Sequence, residues 1–346
     1  MKMRATVLRS HGGPEVLVDE EIDAPTPGPG QVRVRVRAVA MNHMDLWVRR
    51  GGPAFRLEYP HRLGCDIAGE VESLGAGVTE PAIGSKVLVQ PGLSCGHCQA
   101  CLSGADNLCR EYRILGENAQ GGYGELAVVP RRNLMPYPGE LPFEQAAAIP
   151  LTFLTAWQML VAKARVAPGE TVLVQGAGSG VGVAAVQIAR LFGARVLATA
   201  GSPEKCRRAK ELGAEEAIDY RTQDFVAEVK RLTGKRGADV VIDHVGGETF
   251  AKSVLATRSG GRIVTCGATS GFTPAIDLRH IFFRQIAIFG STMGSKSHLL
   301  AVLPHVVSGA LRPIVDRVLP MSRAREAHAA LEAREAFGKI VLLPGS

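Results

Sequence analysis

Residues 172–194 read VLVQGAGSGVGVAAVQIARLFGA. An apolar run ends at Gln175, and glycine and small residues follow. From Gly180 to Phe192, Val183, Val186, Ile188, Ala189 and Leu191 recur at helical spacing. Strand, tight turn and helix in that order form the first half of a βαβ unit. Gly176, Gly178, Gly180 and Gly182 let the backbone turn sharply and let a pyrophosphate approach the helix start. Free N–H groups and the helix dipole favour negative charge there. The strict G-x-G-x-x-G spacing is not met: counted back from Gly182, its positions hold Ala177, Ser179 and Gly182. No Gly-Lys-Ser/Thr follows, so this is not a P-loop. The context makes Gly178, Ser179, Gly180 and Val181 candidate dinucleotide contacts, against the plainer alternative of a merely tight turn.

Downstream, the texture repeats. ARVLATA (194–200) is the next strand and 203–212 the next helix. ADVVIDHVG (238–246), GRIVTCG (261–267) and IAIFGST (286–292) are further short apolar runs. Strands of this kind are buried on both faces, which predicts a parallel sheet. At the end of the second strand, NAD sites usually place a carboxylate for the ribose 2′-hydroxyl. Here that place holds Ala200, Gly201 and Ser202, with Lys205 following. A missing carboxylate removes repulsion against a 2′-phosphate, and Ser202 and Lys205 supply a donor and a charge. NADP(H) is therefore expected over NAD(H). Two alternatives stand: Ser202 as a plain N-cap before Pro203, and Glu204 reaching the ribose and restoring NAD.

Upstream, residues 28–40 read GPGQVRVRVRAVA, a turn followed by strict alternation of valine and arginine. That predicts a half-buried strand with a charged outer face. DIAGEVESLG (66–75) and SKVLVQPG (85–92) are similar, so the first ~125 residues read as mainly β. Residues 296–346 carry helical patterns and a final strand, GKIVLLP (338–344).

Four of the seven cysteines cluster as Cys95, Cys98, Cys101 and Cys109, spaced C-x2-C-x2-C-x7-C. In a reduced compartment four such thiols read as a metal site, and a closed four-sulfur shell suits a structural Zn²⁺. A ferredoxin-type cluster run would end in x3-C-P, which this does not. His97 lies inside the loop, but the four cysteines already fill the shell. Cys206 and Cys266 fall in a helix and at a strand end, and read as small apolar residues.

The chain has 346 residues, enough for two domains with cores of their own. Hydrophobic residues make up 46% and charged residues 21%, which excludes disorder as the main state. The most apolar stretch, 172–191, is interrupted by Gln175, Ser179, Gln187 and Arg190, so no membrane helix is expected. The start, MKMRATVLRSHGG, lacks a signal-peptide core, which points to the cytoplasm. The formal charge is +7 but scattered, and aromatics are only 5%, so no nucleic-acid partner is expected. A positive field does suit an anionic small ligand.

GCDIAGEVESLGAGV, LSCGHCQACLSGADNLC, AAAIPLTFLTAWQML, QGAGSGVG and ATAGSPEK together resemble the medium-chain dehydrogenase/reductase superfamily. The resemblance covers essentially the whole chain. It is strongest to the branch that includes quinone oxidoreductases and is often labelled zinc-binding alcohol dehydrogenase-like. It implies an α/β protein with a GroES-like, mainly β catalytic domain from residues 1–155 and 294–346, and a structural zinc lobe at 91–112. Between them it implies a Rossmann domain, a doubly wound parallel sheet, over 156–293. A cleft between the domains and a homodimer or homotetramer go with this. Ser202, Lys205 and Tyr220 would hold the 2′-phosphate and adenine ribose. Asn42, Thr155, Gly267 and Ser291 would lie near the nicotinamide, with Thr152 close by; helix capping is the plainer role for the two threonines.

Zinc alcohol dehydrogenases hold a catalytic zinc with Cys, His and a third Cys or acidic residue. Those places here align with Asn42, Cys65 and Leu151, and Asp66 matches the acidic residue after the histidine. Leucine cannot ligate, and Cys65 with Asp66 do not make the three-ligand open site catalysis needs. The proton-relay histidine is replaced by Trp47. Asn42, His43, Cys65 and Asp66 remain the catalytic candidates: Asn42 bonding substrate oxygen or cofactor, His43 donating a proton or touching the pyrophosphate. Asn42 as a buried turn residue and His43 as a structural histidine are the plainer alternatives.

Without metal, a localised alkoxide must be held by hydrogen bonds alone. Quinones and α,β-unsaturated carbonyls delocalise the incoming charge. The expectation is therefore an NADPH-dependent reductase of a quinone or conjugated carbonyl. An alcohol dehydrogenase and a nucleotide-binding sensor without turnover are the alternatives.

Overall fold

The valine–arginine alternation folds as the strand Gln31–Ala40, with Val32, Val34 and Val36 buried. A computed structural model describes residues 1–53 and 55–345. The outward arginines are answered from the next strand: Arg33 meets Glu72 and Arg37 Nη2 lies 2.7 Å from Glu70. The positive stripe is thus neutralised within its own sheet. The chain divides into two compact units, Met1–Leu151 with Ser295–Val307 and Pro313–Ser346, and Thr152–Gly294 with Ser308–Arg312.

The first unit is built on a seven-stranded sheet. Its order is Val315–Pro320, Lys339–Leu343, Gln31–Ala40, Asp66–Leu74, Lys86–Val89 and Leu134–Pro136, with Leu126–Pro130 also pairing to Gln31–Ala40. Two registers matter. Ala40 pairs antiparallel with Asp66 on one side and with Val341 on the other. Two residues beyond Ala40, the chain therefore sets Asn42 beside Gly64 and Lys339. The strand Val315–Pro320 and the hairpin of Lys2–Leu8 with Leu17–Asp23 carry no clear sequence signal and were not anticipated. The cysteine lobe leaves this unit through a narrow neck, where Gly92–Leu93 pairs with Arg113–Ile114. Asp106 in the lobe holds Lys296, with Nζ at 2.7 Å and the backbone N–H at 2.9 Å.

The helices His43–Arg50 and Ala324–Glu332 are joined by a buried polar chain. Arg49 Nη1 donates to His328 Nδ1 at 3.1 Å, and Nη2 reaches Glu332. With Nδ1 accepting, His328 Nε2–H donates to Tyr123 Oη at 3.1 Å.

The second unit is a six-stranded sheet, parallel throughout: Glu216–Asp219, Arg195–Ala200, Thr171–Val174, Ala238–Asp243, Thr257–Thr265 and Ala287–Gly290. Numbered within this unit, the order is the doubly wound 3-2-1-4-5-6. Val172, Leu173, Val174, Val240, Val241 and Ile242 are fully buried, which explains runs without alternation. The order reverses between Thr171–Val174 and Ala238–Asp243, and ligands of such sheets bind beyond the carboxyl ends at that point. No helix among the described residues is long and apolar enough to cross a membrane.

The helix Gly180–Leu191 packs tightly on its strand. A Cβ at Gly182 would lie 2.3 Å from Gly176 O and 2.8 Å from Ala177 Cα, both backbone. Gly182→Ala is expected to lower the urea unfolding midpoint, by about 1–3 kcal/mol of stability. An unchanged midpoint would show that the turn relaxes freely.

Burial, then the Arg49 charge, lowers the His328 pKa to about 3. The unfolded value is about 6.5. Between these values the unfolded chain binds a proton the folded chain rejects, so this contribution to stability is lost as pH falls below about 6.5. Between about pH 7 and pH 5, wild type should lose more unfolding free energy than His328→Gln, measured by denaturant titration.

Candidate functional site

In the second unit the glycine turn is held from beneath. Gly176 adopts φ +60°. Its N–H donates to Thr199 Oγ1 at 3.0 Å, and Thr199 Oγ1 donates to Gln175 Oε1 at 2.7 Å. Ser179 caps the helix Gly180–Leu191, its Oγ accepting from Gly182 N–H at 2.9 Å. The same Oγ lies 2.7 Å from His244 Nε2. Burial lowers the His244 pKa to about 4, so the ring is neutral near pH 7. Its Nδ1 is buried without a partner. If Ser179 donates to Nε2, Nδ1–H is left unused; if Nε2–H donates, the serine proton is left unused. In either tautomer one donor stays uncommitted beside the turn, which fits an anionic ligand.

Two more expected contacts have orphaned atoms: Thr155 Oγ1 and Ser291 Oγ are buried with no hydrogen-bond partner. Thr152 and Thr155 both lie within the helix Pro150–Trp157, and the unpartnered Thr155 hydroxyl makes no capping bond. Thr265 Oγ1 donates to Gly267 O at 3.3 Å, which fixes the turn at Gly267. Farther along, Ser202 caps the helix Pro203–Glu211, accepting from Lys205 N–H at 3.2 Å. A capping hydroxyl still has its own proton to donate. Glu204 is engaged by Arg207 at 2.7 Å, and that hydrogen bond lowers its pKa. Tyr220 stands over Gly201, where a Cβ would come within 2.4 Å of its hydroxyl oxygen. Glycine cradle, helix start and orphaned donors all fit a dinucleotide.

In the first unit, Asn42, Cys65 and Asp66 meet as the sequence suggested. Asn42 precedes the helix His43–Arg50, and its backbone N–H donates to Asp45 Oδ2 at 2.7 Å. His43 is the first residue of that helix and only half-buried. Asp45 also accepts from Gly64 N–H at 2.9 Å. Burial raises its pKa to about 6 against those two donors. Asp66 accepts from Leu151 N–H at 2.7 Å and from Asn42 Nδ2 at 2.9 Å.

The residue sequence reading missed is Lys339. Its Nζ lies 2.9 Å from Asp66 Oδ2 and 2.5 Å from Asn42 Oδ1. It is only 4% exposed. The available signal was a lysine opening the apolar strand GKIVLLP, read only for its valine and leucine. Cys65 is fully buried, which pushes its thiol pKa well up and keeps it protonated. His244 was also missed; its signal was position, just past the strand next to the glycine turn.

Cys95, Cys98, Cys101 and Cys109 hold their ligand atoms within 4.8 Å of one another. Cys95–Cys101 and Cys98–Cys101 Sγ distances are 3.8 and 3.5 Å. Zn–S bonds of about 2.3 Å in a tetrahedron imply about 3.8 Å between sulfurs, so the cage matches one zinc ion. Backbone N–H groups also point at sulfur, Gly96 N–H to Cys101 at 3.3 Å and Cys98 N–H to Cys95 at 3.4 Å. N–H groups of His97 and Cys98 lower the Cys95 pKa to about 6. Cys95, His97 and Glu111 satisfy the same spacing, but His97 and Glu111 are exposed.

Residues 28–139 match the alcohol dehydrogenase GroES-like domain, and residues 180–308 match the zinc-binding dehydrogenase family. An NAD-dependent alcohol dehydrogenase of Saccharolobus solfataricus is 33% identical, covering 99% of this chain and 100% of that protein. Human quinone oxidoreductase is 29% identical over 99% and 98%. A crystal structure of an NAD-dependent alcohol dehydrogenase superposes with a TM-score of 0.96 at 54% identity, covering 99% of this chain and 100% of that one. The chain belongs to the medium-chain dehydrogenase/reductase superfamily and is an NAD(P)-dependent oxidoreductase.

Proposed function

We propose that this enzyme passes hydride from NADPH to a quinone or an α,β-unsaturated carbonyl, without a catalytic zinc. One zinc ion in the Cys95, Cys98, Cys101 and Cys109 cage serves structure alone. The observation that carries the reading is Lys339. Where a catalytic zinc would need three ligands, Asn42 and Asp66 are committed to an ammonium and Leu151 offers only a backbone N–H, which leaves the Cys65 thiol alone. One thiol does not make the three-ligand site that a catalytic zinc needs, so these residues do not fit one.

The nucleotide, when bound, supplies two electrons as hydride. Gly178, Ser179, Gly180 and Val181 take its pyrophosphate, with the donor left over at Ser179 and His244. Thr155, Gly267 and Ser291 serve the nicotinamide end. Ser202, Lys205 and Tyr220 serve the adenine ribose and its 2′-phosphate. Ala200, Gly201 and Ser202 at the strand end carry no carboxylate to select NAD, and Glu204 nearby is paired with Arg207. In the acceptor, hydride forms a new C–H bond at the β-carbon, the C=C pair moves to join the α-carbon and the carbonyl carbon, and the C=O π pair moves onto oxygen. Asn42 offers the N–H that stabilises this oxygen. His43, at the helix start, delivers a proton to the α-carbon of the enolate, which restores the C=O bond and completes reduction.

The seven cysteines form no disulfide, in keeping with the cytoplasm. Self-association fits the edge strand Ala287–Gly290, where Ile288 is 40% exposed, with exposed Phe272, Leu278, Phe282 and Phe283 in the same unit.

A second reading, NAD-dependent alcohol oxidation, is favoured by the 54% identity to an NAD-dependent alcohol dehydrogenase. A panel of quinones, enones, aldehydes and simple alcohols, run with NADPH and NADH, separates the two. Enone or quinone reduction with NADPH and one zinc per chain are expected. Efficient ethanol oxidation with two zinc ions per chain would overturn the proposal. Lys205→Glu should cut the preference for NADPH over NADH by about tenfold, the loss of one charge-assisted bond; an unchanged ratio would remove Lys205 from the cofactor site.

A further inference from the structure

The four groups at the acceptor side are unequally exposed. Asp66 and Cys65 are fully buried, Lys339 is 4% exposed and Asn42 7%. Asn42 is the member nearest to solvent, and its amide is held at both ends. Lys339 Nζ donates to Oδ1 at 2.5 Å, while Nδ2 donates to Asp66 Oδ2 at 2.9 Å. Turning the amide over would set NH₂ against the ammonium and C=O against the carboxylate, so both charges oppose it.

The second amide hydrogen has no such partner. Its nearest acceptors are Cys65 Sγ at 3.3 Å and Ala40 O at 3.4 Å. A thiol sulfur is a weak acceptor and the carbonyl contact is long. Of the two amide hydrogens, this one is therefore the more weakly held. A cation bonded to the oxygen of the same amide polarises it, strengthening what the nitrogen can donate.

We propose that Lys339 is a positioning residue for hydride transfer: its buried ammonium locks Asn42 with the amide N–H available to the acceptor oxygen and backs that N–H with fixed positive charge. The proposal rests on the reading of Asn42 given above. The ammonium acts at one remove, through the amide, on an acceptor that gains charge only in the transition state. Its loss should therefore slow the chemical step and spare nucleotide binding.

The test uses Lys339→Met, Lys339→Arg, Asn42→Ala and the double variant Asn42→Ala/Lys339→Met, each with one enone and NADPH. Lys339→Met should lose about tenfold or more in kcat. Its NADPH affinity, read by fluorescence titration, should stay as in wild type, and the isotope effect with deuterated nucleotide should be fully expressed. Lys339→Arg should restore most of the rate. The double variant should be no slower than Asn42→Ala alone, because both changes disable one device. Wild-type kcat in Lys339→Met, or losses that multiply in the double variant, would overturn the proposal while leaving the proposed reaction standing. Wild-type kcat in Asn42→Ala would remove Asn42 from the site and overturn the proposal together with the reading of Asn42 on which it rests. If Lys339→Met does not fold, Lys339→Met/Asp66→Asn removes the stranded carboxylate. It should then be slower than Asp66→Asn alone, and equal rates would count against the proposal.

Discussion

Lys339 and Asp66 form an ion pair almost wholly out of water, and Asn42 and the Leu151 backbone are arranged around it. Such a pair gains little net stability over an apolar filling, because desolvation offsets the attraction. Removing one partner is another matter, and typically costs about 3–5 kcal/mol. The pair persists here through its neighbours: Leu151 N–H and Asn42 take the remaining carboxylate capacity, and Asn42 Oδ1 takes a second ammonium proton. What places them is sheet register. With Ala40 opposite both Asp66 and Val341, three strands deliver an amide, a carboxylate and an ammonium to one point.

The glycine turn follows a different logic. There the protein supplies few charges, one donor left over between Ser179 and His244, and the unpartnered hydroxyls of Thr155 and Ser291. A helix start, a neutral histidine and buried hydroxyls suit a polyanion that brings its own charge. Gly182 explains why the glycine spacing departs from the strict pattern. Close packing of helix on strand is the one demand that tolerates no side chain, and it is met at Gly182 against Gly176 and Ala177.

The fold was largely legible because its signals are periodic. Valine alternation marked the strand Gln31–Ala40, and unbroken apolar runs marked the parallel strands. Strands without such a pattern, such as Val315–Pro320, were invisible because pairing rather than composition defines them. Local spacing likewise exposed the four cysteines and Ser179, whereas Cys65 and Asp66 were found through the family resemblance. Lys339 was not legible. Its partners lie 297 and 273 residues away along the chain, and only strand register brings them together. His244 was hidden for the same reason, since its relation to Ser179 depends on sheet order.

Tyr220 standing over Gly201 has a bearing on how this protein can change over time. The strand end is where NAD sites usually place a carboxylate. A Cβ at 201 would push the tyrosine hydroxyl aside, and the ring, 43% exposed, has room to move. An acid arriving at 201 would therefore displace the ring in the same step, so that one replacement alters two side chains at once.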